Sequence, residues 1–223
     1  LMVGYHSRPT LDLIAMLVTF RSYVLCSHLF FKVPLLGQLI SHCGGIPSRS
    51  PDSQEDESDD MFVQALASGT RPLFLLPGGI FEFSKSSDES YWVSWKSPPG
   101  FARILCDPKY ADKLKHVKIF PFFTRNCEDA YYFLPDWWRD LSSNALRSMM
   151  DAIKSGKIFL SPILMILALF SIGGFLLPKP VKWDTYIGEP IILTANEKDV
   201  QLGRRVERKL QKLMDFHQSH RIG

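Results

Sequence analysis

Two residues near the start of the chain could act together on a proton. They are His6 and, six positions later in the run Tyr-His-Ser-Arg-Pro-Thr-Leu-Asp, Asp12. Leu1 to Tyr5 is apolar and β-prone, so His6 falls just past a strand end. Asp12 falls inside the first turns of a helix, with Ser7 as a candidate N-cap and Pro9 in the turn where no N–H is needed. Folded back over that turn, the carboxylate accepts a hydrogen bond from one imidazole nitrogen. The other nitrogen is then free to take a proton from an attacking hydroxyl. This base and its orienter suit acyl transfer to an alcohol from an already activated donor, a reaction that needs no serine nucleophile. No Gly-x-Ser-x-Gly occurs in the chain, which argues against an α/β-hydrolase. The same two residues also fit a capped helix start beside an exposed histidine, because a two-residue pattern constrains little.

A second candidate is the segment Arg-Pro-Leu-Phe-Leu-Leu-Pro-Gly-Gly-Ile-Phe-Glu-Phe, where a short apolar run leads into Pro77-Gly78-Gly79 and then Glu82. Glycines after a strand let an oxyanion or acyl carbonyl approach backbone N–H groups closely. They fit equally a tight turn in which they only supply positive φ. A third candidate is Val117 to Arg125, a strand running into Pro121.

The elements that must position these groups alternate between strand and helix. Leu11 to Phe31 is apolar on nearly every side, as in a buried or membrane-facing helix. Val33 to Cys43 continues apolar and stops at the turn signal Gly44-Gly45. Residues 51–60 hold six carboxylates, a solvated acidic loop leading into a helix that starts near Met61. Leu73 to Leu76 and Val117 to Phe123 read as buried strands, Phe101 to Leu105 as a helix, and Thr185 to Leu193 as a last β-prone stretch. Residues 199–219 form a basic amphipathic C-terminal helix, with Val206, Leu210 and Leu213 on one face and Arg204, Arg205, Arg208, Lys209 and Lys212 on the other. The expected fold is α/β, a mainly parallel central sheet flanked by helices, in a single domain over residues 1–223.

Bulk properties narrow the function. A net charge of +3, from 26 basic and 23 acidic side chains, gives no concentrated basic surface for nucleic acid. The cysteines at 26, 43, 106 and 127 form no Cys-x-x-Cys, and free thiols in a reducing compartment suit such spacing better than two disulfides. No histidine or cysteine joins the acidic run, so no metal site is expected. The chain begins at Leu1 without a charged leader or cleavage site, as expected of a start inside a longer protein.

Taken together, the motifs resemble the phospholipid/glycerol acyltransferase superfamily, and within it the monoacylglycerol/diacylglycerol acyltransferase branch that includes a transmembrane acyltransferase. Tyr5, His6 and Asp12 match that branch's first motif, and Phe-Lys-Val-Pro followed by Gly-Gly-Ile-Pro-Ser-Arg matches its connector. Pro77, Gly78, Gly79 and Glu82 match its Pro-Gly-Gly-x-x-Glu motif. Tyr91, Trp95 and Gly100-Phe101-Ala102 continue the alignment, followed by Ile119, Phe120, Pro121, Phe123 and Asn126. Ser7 stands where the family has glycine. The resemblance covers nearly the whole chain. It implies a glycerolipid acyltransferase fold and an enzyme of the endoplasmic-reticulum membrane with its site reachable from the cytosol. It also implies acyl-CoA as co-substrate with no cofactor, His6 as general base and Asp12 as its partner. Arg8, Pro77, Gly78, Gly79, Glu82, Pro121 and Arg125 are the substrate-binding candidates.

The acceptor expected from the loop is a neutral acylglycerol. Phe81 stands where near relatives often have arginine, the nearest downstream cation is Lys85, and Glu82 would repel a phosphate. Arg8 and Arg125 could restore a phosphate clamp, so a lysophospholipid acceptor stays open, as does a catalytically inactive lipid-binding protein of the same fold. Residues 158–177 carry no charge and are broken by Pro162, Gly173 and Gly174. They read as a membrane-associating element that dips into one leaflet, because the strand after them must rejoin the sheet.

Overall fold

The computed structural model describes residues 1–5, 21–31, 35–49, 57–79, 82, 89–95, 99–127, 155, 181–194 and 196–219. His6, Arg8, Asp12 and the apolar segment 158–177 lie outside them. In chain order the elements are β1 (Met2–Gly4), β2 (Tyr23–Cys26), α1 (His28–Phe31), α2 (Leu36–His42), β3 (Gly45–Pro47), α3 (Glu57–Ser68) and β4 (Leu73–Leu75). There follow α4 (Gly100–Cys106), a 3-10 turn (Pro108–Tyr110), α5 (Ala111–Leu114), β5 (Lys118–Arg125), β6 (Asp184–Ile187), β7 (Ile191–Ile192) and α6 (Asp199–Ser219). The described strands form one sheet in the order β3-β2-β4-β1-β5-β6, with β7 also on β5. Strands β3, β2, β4, β1 and β5 run parallel, and β6 and β7 pair antiparallel with the outer edge of β5. The chain is therefore α/β with a mainly parallel sheet flanked by helices. Among the described residues, no helix is long and apolar enough to cross a membrane.

A two-residue period sorts the strand side chains between two apolar layers. Val3, Tyr23, Leu25, Leu73, Leu75 and Ile119 enter one core with α3, α4 and α6. Met2, Val24, Cys26, Phe74 and Phe122 meet on the opposite face. Both faces are buried, so these strands read as unbroken apolar runs. That is why the sequence reading of 11–31 as one helix fails at Tyr23–Cys26, which is a strand inside the sheet. Periodicity cannot separate a buried strand from a buried helix, and Arg21, at φ 46°, marks the turn into it. Strand β3 is hidden in the same way behind its turn glycines. Gly44 has φ 91° as expected of a turn, but Gly45 already pairs with Val24. Helix α3 starts about a turn earlier than Met61, so Glu57 to Asp60 are helical and not loop. The Asp59 and Asp60 carboxylates suit the positive end of the helix dipole.

Helix α6 closes one face. Leu202, Val206, Leu210 and Met214 are fully buried, a slightly rotated version of the expected stripe in which Leu213 is only half-buried. The strand after the apolar segment rejoins the sheet, as its β-prone sequence requires: Phe122 to Arg125 pair with Ile187 to Asp184.

Gly4 shows how tightly β1 is packed. A Cβ there would fall on the Phe122 ring, which is held edge-on against Phe74 at 5.2 Å between centroids. Gly4→Ala is expected to cost about 1–3 kcal/mol, the usual penalty for overpacking, read as a lower urea midpoint. Adding Phe122→Leu should recover part of the loss.

Candidate functional site

The carboxyl ends of the parallel strands β1, β2, β3 and β4 converge on one side of the sheet, the edge where open α/β sheets hold ligands. Val3 of β1 is in register with Leu75 of β4. Two steps further along, Tyr5 and Pro77 leave the sheet side by side. Tyr5, which opens the first sequence motif, and Pro77, which opens the second, are thus neighbours in space though far apart in the chain.

Tyr5 is buried, and its hydroxyl oxygen accepts the Tyr91 N–H at 3.1 Å while the two rings stack at 6.1 Å. This anchors the backbone immediately before His6.

The two glycines of the loop do different jobs. Gly79 has φ 49° and donates its N–H to the Leu76 carbonyl at 3.1 Å, closing a tight turn. Gly78 carries no such demand. Its Cα lies directly against the Glu82 carboxyl, where a Cβ would collide. Glu82 donates its N–H to the Gly78 carbonyl at 3.3 Å, and its side chain is fully buried. Glu82 therefore packs against Gly78, where only a residue without a side chain leaves room for its carboxyl. Gly79 thus serves the turn, and Gly78 serves close approach, with Glu82 as what approaches.

A cleft of about 430 Å³ opens beside this loop. Its walls come from the ends of β2, β3 and β4, through Cys26, Ser48 and Pro77 to Gly79, and from α3 and α4, through Phe62, Phe101 and Ile104. Trp95, edge-on to Phe101 at 6.2 Å, adds an aromatic wall. The Cys26 thiol is pushed up to about 11 by burial, so it stays protonated near neutral pH and offers no thiolate nucleophile. All four cysteines are free.

Three charged residues that sequence reasoning misses also line the cleft. Asp59, buried on α3, accepts a hydrogen bond from Arg103 Nη2 at 2.6 Å and lies 3.7 Å from Arg49 Nη1. Both arginine side chains keep about 40% exposure, at 42% and 40%, against 4% for Asp59. The carboxylate thus holds two guanidinium groups at the cleft wall next to Pro77–Gly79, where their outer donors can meet an anionic ligand. Arg49 belongs to the connector motif, but Asp59 reads in the sequence as one more member of a solvated run. Nothing in the spacing of residues 49, 59 and 103 announces that they meet.

Two further candidates stand apart. Pro121 is in the middle of β5 opposite Val3, with its carbonyl accepting the Gly188 N–H at 2.8 Å. Arg125 ends β5 opposite Asp184. Neither lines this cleft.

No protein-family model matches the chain, and no solved structure matches it significantly. Among curated proteins it is similar to the "DGAT1/2-independent enzyme synthesizing storage lipids" of Gallus gallus, at 27% identity over 98% of the chain and 56% of that protein. The protein of the same name from Homo sapiens is 28% identical over 87% of the chain and 48% of its own length. That from Mus musculus is 27% identical over 87% and 47%. The chain therefore spans about half the length of the curated relatives it matches.

The division of labour between the glycines is directly testable. Gly79→Asn should remain close to wild type in thermal stability, because asparagine tolerates positive φ, whereas Gly79→Ala should cost about 1 kcal/mol. Gly78 should accept neither residue, with losses of about 1–3 kcal/mol for Gly78→Ala from displacement of Glu82.

Proposed function

We propose that the chain is the acyl-transferring part of a lipid-synthesising enzyme, moving a fatty acyl group from acyl-CoA to a glycerolipid hydroxyl. The observation that carries this reading is the parallel register of β1 and β4, which brings the chain entering His6 alongside the Pro77–Gly79 loop and its cleft. The similarity to enzymes named for storage-lipid synthesis supports the same class. In this reading the acceptor hydroxyl oxygen attacks the thioester carbonyl while His6 takes its proton. The carbon–sulfur bond then breaks, and the proton passes to the departing CoA thiolate. Asp12 holds the imidazole in the productive tautomer and stabilises its charged form. The reaction needs no metal and no cofactor beyond the acyl-CoA co-substrate. On the resemblance, the working location is the endoplasmic-reticulum membrane, with the site reachable from the cytosol.

The test is release of free CoA thiol from long-chain acyl-CoA in the presence of an acylglycerol. His6→Ala should lower turnover by roughly two to four orders of magnitude, the worth of a positioned base, and Asp12→Asn should also lower it. A folded His6→Ala protein with wild-type turnover would sink the assignment. No thiol release by wild type would favour an inactive lipid-binding protein.

Arg49 and Arg103 favour a second reading of the acceptor. Phe81 and Lys85 point to a neutral acylglycerol, monoacylglycerol or diacylglycerol, but they are only the groups near the loop in sequence. The arginines beside Pro77–Gly79 suit a phosphate, either of CoA or of a lysophospholipid acceptor. We retain the neutral acceptor and assign the arginines to CoA. In an equal-concentration competition with one acyl-CoA, monoacylglycerol or diacylglycerol should be acylated faster than lysophosphatidic acid. The reverse order would replace it with the lysophospholipid reading.

A further inference from the structure

The outward face of α6 carries a feature that the acyl-transfer site does not use. With Leu202, Val206, Leu210 and Met214 buried, the residues left exposed on the helix are Val200, Gln201, Arg204, Arg208, Lys209, Lys212, Asp215 and Phe216. At 100° per residue, Arg204, Arg208, Lys212 and Lys209 share one face, and Phe216 falls between the last two. Arg208 caps the Arg204 carbonyl through Nε at 3.2 Å, which leaves its charge outward. Of the acidic residues on the helix, Glu207 borders this face and Asp215 falls within it between Arg204 and Arg208 in helical angle, so the basic side chains outnumber the acidic ones there. Glu207 turns back to accept the Trp95 N–H at 3.0 Å, and Asp215 accepts from Gln211 Nε2 at 2.7 Å.

The position of this face matters as much as its charge. His217, beside Phe216, stacks on Tyr186 at 3.7 Å, and Tyr186 stacks in turn on Phe123, in the carboxyl-terminal half of β5. The C-terminal turns of α6 therefore reach the same end of the sheet as the cleft. Trp92 lies at that end too, between Tyr91, which is held on Tyr5, and Val93, whose N–H is accepted by Gln211 Oε1 at 2.7 Å. Trp92 and Phe216 are 63% and 61% exposed, high values for residues of that size.

We propose that this face of α6, with Trp92 and Phe216 at its cleft end, docks the protein onto an anionic glycerophospholipid membrane. The cations lie at headgroup level and the two rings enter the interface, so that the cleft end of the sheet is turned to the bilayer. A membrane suits the face better than nucleic acid. Among the described residues the face is one side of a single helix, and its apolar members cluster where a lipid acceptor would have to enter. The proposal deepens the lipid-acylating reading, yet its test is independent of turnover.

The experiment is flotation of the whole chain with phosphatidylcholine vesicles and with vesicles of phosphatidylcholine and phosphatidylserine. Taking the ratio of the two partition coefficients removes any contribution from apolar segments elsewhere. Each basic side chain near an anionic leaflet favours it about fivefold, so a ratio well above tenfold at low salt is expected, falling as salt rises. The variant Arg204→Gln/Arg208→Gln/Lys209→Gln/Lys212→Gln, folded by circular dichroism, should bring the ratio close to one. Phe216→Ser should weaken binding to both vesicles. Equal wild-type binding to the two vesicles, an unchanged ratio in the fourfold variant, or displacement of wild type from anionic vesicles by a duplex oligonucleotide would each overturn the proposal. In detergent micelles the fourfold variant should keep wild-type CoA release. Loss of wild-type release there, with the anionic preference intact, would sink the acyl-transfer reading and leave the docking surface standing.

Discussion

The central position of β1 is the constraint on which the rest of the molecule depends. Its three residues pair with β5 on one edge, and Met2 and Val3 pair with β4 on the other, all parallel. Val3 is fully buried in one core, and Gly4 lets the Phe122 ring close over the other face. With partners on both sides, β1 can shift neither sideways nor by one residue, since a one-residue slip would exchange its two faces. The end of β1 is therefore held at a defined height beside the end of β4. The backbone leaving β1 at Tyr5 and the Pro77–Gly79 turn lie side by side at that height only because it is held.

Burial at the site end follows from the same arrangement. The Pro77–Gly79 turn must fit between β4 and the elements that cover it, and Glu82 packs into the space that Gly78 leaves open. Asp59 sits under the cleft wall with Arg103 bonded to it and Arg49 close by. A buried carboxylate is costly without such partners, so the arginines are held at the cleft by the same contact that makes Asp59 tolerable there. The site thus couples its shape to its charge.

Helix α6 joins the two halves of the described structure. Its apolar face packs on β5, and Gln211 and Glu207 receive the backbone N–H groups of Val93 and Trp95 in the segment leading toward the cleft. The helix is bound to the core on one side and to that segment on the other, so its basic outward face is fixed relative to the cleft.

Elements with local signals were legible in the order of amino acids alone. The α/β class, strands β1, β4 and β5, helices α4 and α6, and the Pro77–Gly79 turn all follow from short-range apolar patterning and backbone chemistry. The return of Asp184–Ile187 to the sheet was legible too, because a β-prone stretch must find an edge to pair with. Whatever depends on distance in space emerged only from packing. Whether Tyr23–Cys26 was strand or helix rested on burial of both its faces, and an apolar run looks the same in either state. The close packing of Glu82 against its own loop rested on a missing Cβ at Gly78. The meeting of Arg49, Asp59 and Arg103 was invisible along the chain, because ion pairs between residues of separate elements leave no periodic trace. They form only when packing of α3 and α4 against the sheet brings the side chains within reach.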